Sequence, residues 1–316
     1  MITPPDSETL GFFGATFGAL TLATAIGLVL RRTAGAGPSA KVITNLNDRI
    51  FAWWLMVGVL GAAIMLGGAA TLTLFGIMSF LALREFITLT PTKPGDHRSL
   101  FWAFFVITPL QYITLGTGWY GMAVLLIPVY AFLFIPIRNA LAGDATDFLA
   151  RTAKVQWGLM VCVYFLSYAP ALLLLDIPGH HGENAKLILF LITVAQMSDV
   201  LQYTWGKLCG RHPIAPRISP SKTIEGLVGG GLSAIALGSA LWFMTPFTPL
   251  QAAALSAVIV IMGFFGGLVM SAIKRDRGVK DYGELLPGHG GMMDRIDSLC
   301  FAAPVFFHCV RYWFTV

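Results

Sequence analysis

Charge is what this chain has least of. Lysine, arginine, aspartate and glutamate make up 12% of its 316 residues, about half the share of an ordinary soluble domain. Cysteine is scarce too. Cys162, Cys209, Cys300 and Cys309 show no C-x-x-C spacing, which excludes a thiolate metal knuckle or a dithiol redox motif and leaves inert thiols. No polar stretch exceeds about 25 residues, so no soluble domain is expected. Internal repeats and low-complexity tracts are absent, which argues against a solenoid or an array. Residues 1–9 are polar and acidic without a basic n-region, so a cleaved signal peptide is not expected.

Apolar residues fill the remainder, 56% of the chain. A bilayer span needs about 20 of them in a row. Ten such runs can be placed, at residues 10–30, 51–67, 69–83, 100–116, 119–137, 155–175, 187–206, 224–245, 252–273 and 296–316. The expected class is all-α, a polytopic integral membrane protein with about 10 transmembrane helices. Residues 1–185 form an N-terminal membrane region with short loops. Residues 186–316 form a second region that holds nearly all the polar groups of interest.

The formal net charge of +5 is a matter of topology. Taking the loops after alternate spans as one side, every lysine and arginine falls there except Lys186 and Arg311. The positive-inside rule makes that side cytosolic, and the excess implies no nucleic-acid partner. In the loop before the seventh span, His180 and His181 lack further ligands and read as solvated. The segment 139–154 reads as a short amphipathic interfacial helix.

Two loops on the basic side carry the chemistry. Residues 271–298 hold five cations and five anions in a chain otherwise poor in both, and charge beside lipid is seldom without a role. Lys274, Arg275 and Lys280 suit phosphate oxygens. Asp294 and Asp297 share a helical face at i, i+3, and two hard carboxylates favour Mg²⁺ when phosphates complete its shell. Arg295, between them in sequence, points elsewhere. The turn Pro287–Gly291 brings backbone amides close to a ligand, with His289 available as donor, acid or base. The plainer alternative is a solvated surface loop before an aspartate-rich helix start. Upstream, Pro213, Pro216 and Pro220 exclude a continuous helix. Ser221 or Thr223 then caps the next helix, and Lys222 beside that terminus makes either an anion cradle or an ordinary helix start. Asp199 lies at the edge of the seventh span, facing either a polar cavity or a structural ion pair.

The pattern S-x-x-K-R-x-x-x-x-K-D-x-G-x-x-x-P-G-H-G-G-x-x-D-R-x-D, complete from Ser271 to Asp297, resembles the signature of the phosphatidate cytidylyltransferases, or CDP-diacylglycerol synthases. W-G-K-x-x-G-R and I-S-P-S-K-T-x-E-G upstream are similar too. The resemblance covers roughly 40% of the chain, residues 187–310. It implies an all-α membrane enzyme that uses Mg²⁺ and joins CTP to phosphatidic acid, releasing pyrophosphate. It implies catalytic roles for Asp294, Asp297, Lys274, Arg275 and His289. Substrate would be held by Ser219, Ser221, Lys222, Thr223, Ser271, Lys280, Arg295, Gly290 and Gly291. Metal would be held among Asp294, Asp297, Asp199 and Asp281. The implied setting is a bacterial inner membrane with the site facing the cytosol, with membrane lipids as neighbours and a homodimer allowed. Two positions depart from the pattern. Gly267 stands where the family usually has a metal-binding aspartate, and Gln202 replaces an alanine. These departures keep open a relative using another lipid phosphate or nucleotide, or an inactive lipid-binding or transport protein. Clustering of the polar groups on one side argues against transport.

Overall fold

The computed structural model describes residues 7–33, 38–283 and 290–315. Among these, nine helices are long and apolar enough to cross a membrane. They are α1 (Ser7–Thr33), α2 (Pro38–Met65), α3 (Gly68–Leu89), α4 (Pro94–Gly116) and α5 (Tyr120–Ala140), then α6 (Phe148–Leu174), α7 (Ala185–Cys209), α8 (Ile224–Met244) and α9 (Pro249–Asp276). A tenth helix, α10 (Met293–Phe314), is less apolar because Asp294, Arg295, Asp297, His308 and Arg311 interrupt it. A short antiparallel hairpin, β1 (Pro213–Ala215) and β2 (Ser219–Thr223), separates α7 from α8. The fold is therefore that of an all-α polytopic membrane protein.

Several helices run beyond their apolar cores. The second span begins at Pro38 rather than 51, and the third ends at Leu89 rather than 83. The backbone keeps its hydrogen bonds through polar turns such as Arg84-Glu85, so hydropathy alone trims the ends. Helix α6 is the most enclosed of the nine. It packs with α3 and α10 around a core in which Phe75, Phe190, Phe306 and Phe307 are fully buried. Helices α1 and α2 lie at the edge, joined by a Phe17–Trp54 ring stack at 5.5 Å. Helix α9 starts on a capping box, with the Thr248 amide donating to Gln251 Oε1 at 2.8 Å and Pro249 as its first residue.

Two loop expectations need correction. Residues 139–154 do not form an interfacial helix. The segment turns through 141–147, and Arg151, 4% exposed, is buried against Asp96 at 2.6 Å and Asp144 at 2.8 Å. The guanidinium thus ties the start of α4 and the 141–147 turn to the start of α6, and the hydrogen bonds Asp144 makes with Thr146 hold its carboxyl below the usual range. Nor is His180 solvated. It is 6% exposed, with Nδ1 at 3.6 Å from Glu183, and burial lowers its pKa so that the ring stays neutral. His181 is exposed as expected. On the same loop face, Lys186 pairs with Glu8 at 2.7 Å and Glu183 at 2.9 Å, linking α1 to α7.

Candidate active site

The hairpin delivers one cation inward. Proline lacks the amide a helix needs, so the chain leaves α7 and pairs Pro213 with Thr223 and Ala215 with Ser219. Of the two candidate caps, Thr223 serves: its Oγ1 accepts from the Gly226 amide at 3.1 Å. Glu225 folds back to accept from the Arg211 and His212 amides at 3.0 and 3.2 Å, closing the base of the hairpin. Helices α7 and α8 touch backbone to backbone there, since a Cβ on Gly230 would lie 2.3 Å from the Gln202 amide nitrogen. Gln202 itself turns along α7 and donates to Ser198 Oγ at 2.6 Å. β2 then sends Lys222 under α9, where its ammonium donates to the Phe264 carbonyl at 3.2 Å and covers the Phe264 ring.

Lys222 settles over Gly267. A Cβ built at that glycine would lie 2.7 Å from Lys222 Nζ and 3.7 Å from Asp297 Oδ2. An ammonium therefore occupies the space into which a side chain at 267 would grow. Gly266, not Gly267, serves close packing: its Cβ would meet the Asp297 carbonyl and Phe301 Cβ of α10, each at 2.8 Å.

The loop from α9 to α10 is organised by two carboxylates. Asp294 Oδ1 accepts from Lys274 Nζ at 2.8 Å. Its Oδ2 accepts from the Tyr282 amide at 2.7 Å and the Gly291 amide at 3.0 Å. The Lys274 and Asp294 side chains are 12% and 4% exposed, so each is the other's principal charge partner out of water. Removing one partner of such a pair costs about 3–5 kcal/mol. Tyr282 is buried, which raises its pKa and keeps the phenol a neutral donor to the Met270 carbonyl at 3.1 Å. Gly290 takes φ +76°, a left-handed conformation natural to glycine.

The second carboxylate is Glu85 at the end of α3. Its two oxygens accept from the Met292 and Met293 amides, both at 2.8 Å, at the start of α10. A negative charge there satisfies otherwise orphaned amides and complements the helix dipole. A Cβ on Gly291 would lie 2.3 Å from Glu85 Oε2, so the carboxylate needs that glycine. Sequence reasoning missed Glu85. The available signal was a carboxylate at the end of an otherwise apolar span.

The other residues divide into an inner and an outer set. Lys222, Lys274, Asp294, Asp297, Arg295 and Asp199 converge below the hairpin, with Asp199 in electrostatic reach of Asp297, Lys222 and Arg295. Ser271 donates to the Gly267 carbonyl at 2.6 Å beside them. Gln196 of α7 donates to the Arg295 carbonyl at 3.0 Å. Arg275 is exposed and is engaged with the Ile218 and Val279 carbonyls at 3.2 and 3.0 Å, pinning hairpin to loop. Ser221, Lys280 and Asp281 are exposed, and Ser219 is buried in the hairpin. His289 lies outside the described residues. Among the described residues no three His, Cys, Asp or Glu side chains gather as a metal cage. Mg²⁺ needs no such cage, because it is commonly held by one or two carboxylates with substrate phosphates and water. Asp297 and Asp199 fit that donor set.

These features define a class: a polytopic, all-helical membrane protein whose cations and carboxylates meet at one face in a site suited to phosphate chemistry. Residues 47–313 match the model of the Cytidylyltransferase family. The uncharacterized protein YnbB of Escherichia coli (strain K12) is 43% identical over 265 residues, 84% of this chain and 87% of its own length. A phosphatidate cytidylyltransferase of Mycobacterium leprae (strain TN) is 40% identical over 171 residues, 53% of each chain. One from Staphylococcus haemolyticus (strain JCSC1435) is 32% identical over 253 residues, 77% of this chain and 90% of its own. The chain belongs to the cytidylyltransferase family, a family of nucleotidyltransferases.

Proposed function

We propose that this protein is a phosphatidate cytidylyltransferase, which joins CTP and phosphatidic acid to give CDP-diacylglycerol and pyrophosphate. The observation that carries the reading is the convergence of Lys222, Lys274 and Arg295 with Asp199, Asp294 and Asp297 at one membrane face. In the reaction a lipid phosphate oxygen attacks the α-phosphorus of CTP. A P–O bond forms, the bond to the β-phosphate bridge breaks, and pyrophosphate leaves. Such a step needs charge neutralisation and in-line positioning more than covalent catalysis.

Lys222 and Lys274 bind triphosphate oxygens, and Arg295 binds the lipid phosphate. Asp297 and Asp199 would hold Mg²⁺, which supplies charge neutralisation at the phosphates when bound. Asp294 would add to that donor set only if it gave up Lys274, which would leave the lysine free for phosphate. Arg275 and Lys280 at the rim guide the anionic nucleotide inward, while Asp281 beside them offers it no attraction. The basic face is cytosolic, where CTP is available, and in a bacterium this is the inner membrane.

A second reading, another lipid phosphate as acceptor, is favoured by the ammonium lying over Gly267, since it changes the charge beside the acceptor. Purified protein with Mg²⁺, α-labelled CTP and each of several lipid phosphates separates the two. Label entering lipid from phosphatidic acid above all other acceptors supports the first reading. Label entering only with a different lipid phosphate supports the second, and no labelled lipid with any acceptor overturns both.

A further inference from the structure

A cavity of about 400 Å³ lies between α2, α3, α7 and α10. Its walls are apolar, with Leu60 on α2, Phe75 and Met78 on α3, and Leu299 on α10. Arg295 is its one charged lining residue and Gln196 its one amide. The lining here runs from Met292, just before α10, and Arg295 near the basic face to Leu299 deeper in the bundle. At 1.5 Å per residue, the guanidinium-bearing turn stands about 6 Å above the apolar floor. The cavity is thus polar at the end nearest the candidate site and greasy at the other.

The polar end is also unsatisfied. Arg295 Nε is buried without a hydrogen-bond partner, a condition that native interiors avoid. Arg49 of α2 and Asp294, Asp297 and Asp199 of the neighbouring site lie in electrostatic reach of Arg295. Leu55 and Val59, also lining residues, are 48% and 45% exposed on α2, so this wall adjoins the bilayer-facing surface. Apolar walls that adjoin the bilayer-facing surface, with one cation at the polar end, match a lipid's chain and headgroup.

We infer that this cavity takes an acyl chain of a phosphomonoester lipid, with the lipid phosphate held by Arg295 at its polar end. The assignment rests on the lipid-phosphate acceptor proposed above. It gives the N-terminal helices a function: α2 and α3 form the chain-binding wall, and Glu85 at the end of α3 fixes the helix that bears Arg295. Phosphate and chain are thereby placed on opposite sides of one helical turn, with the phosphate next to Lys222 and Asp297.

The test uses the full-length protein in nanodiscs with phosphatidic acid bearing a diazirine on one acyl chain. Crosslinks are expected on α2, α3 and α10 at Leu60, Met78 and Leu299, lost on adding unlabelled phosphatidic acid but not diacylglycerol. Crosslinks spread evenly over outward-facing helices such as α1 and α5 overturn the assignment. In a second arm, Leu60→Trp and Met78→Trp fill the cavity. The KM for dipalmitoyl phosphatidic acid should rise about tenfold, equivalent to 1.4 kcal/mol, with little change for the dihexanoyl lipid. Equal changes for both lipids overturn it. Phosphate-dependent crosslinks in the cavity without cytidylyl transfer to any lipid would uphold the cavity and sink the transferase reading.

Discussion

Lys222, Gly267 and Glu85 show how much of the site depends on single side chains meeting across long sequence distances. A carboxylate placed at position 267 would meet the flexible tip of Lys222, which can move, rather than backbone. Gly267→Asp should therefore fold, pair with Lys222, and lower the Mg²⁺ concentration needed for half-maximal turnover. A large drop in unfolding temperature would instead mark the glycine as a packing requirement. Glu85→Gln replaces a charged double acceptor by a group with one acceptor oxygen, leaving a first-turn amide of α10 poorly matched. Hydrogen bonds to charged groups contribute about 1.5–3 kcal/mol, so thermal unfolding in detergent should show a loss of about 2 kcal/mol, with turnover reduced several-fold. Unchanged stability would mean the amides find water. Lys222 and Asp297 were legible in the sequence because they sit in dense polar motifs. Glu85 was not, because its partner amides are 207 and 208 residues away and one glutamate makes no pattern.

The loop joining α9 to α10 is an element held by one buried ion pair. Asp294→Asn leaves Lys274 without its charge partner in a site where the lysine is 12% exposed. The single change should therefore destabilise as well as inactivate, by about 3–5 kcal/mol. Pairing it with Lys274→Met should restore much of the unfolding temperature without restoring turnover. A single variant as stable as the parent would show that the pair is already separated in solution. The i, i+3 spacing of Asp294 and Asp297 correctly suggested a common helix, yet it could not show that Asp294 is occupied by Lys274, Tyr282 and Gly291. The prolines likewise announced the break after α7, but the two-stranded hairpin they create depends on Glu225 folding back, a tertiary contact that spacing does not encode.

Across the whole molecule, hydropathy carried most of the fold. Among the described residues the apolar runs located every helix able to cross a membrane, and errors fell at ends where helices continue into polar turns, as at Arg84-Glu85. The exposed and buried fates of loop charges were less legible. Arg151 looked like a surface residue and is buried on Asp96, because only the assembled bundle brings the two together. Orientation is testable by labelling a single cysteine in sealed cells. Tyr282 is buried and unsuitable, whereas Lys280 is exposed. A cysteine at Lys280→Cys should resist an impermeant external reagent and react after permeabilisation; external labelling would invert the orientation.

Asp297 is the residue whose change tests most directly whether the convergent group at the basic face performs cytidylyl transfer. Its Oδ1 accepts only a local contact, from the Ser298 amide at 2.8 Å, while its Oδ2 faces the space shared with Lys222. Asp297→Asn is nearly isosteric and disturbs no ion pair of the described structure. The decisive measurement is the rate of α-label transfer from CTP into phosphatidic acid for this variant, alongside its unfolding temperature. Turnover lower by at least about 10²–10³-fold, with an unfolding temperature close to the parent's, is the expected result. Transfer within a few-fold of the parent would contradict the assignment of this group as the reacting site.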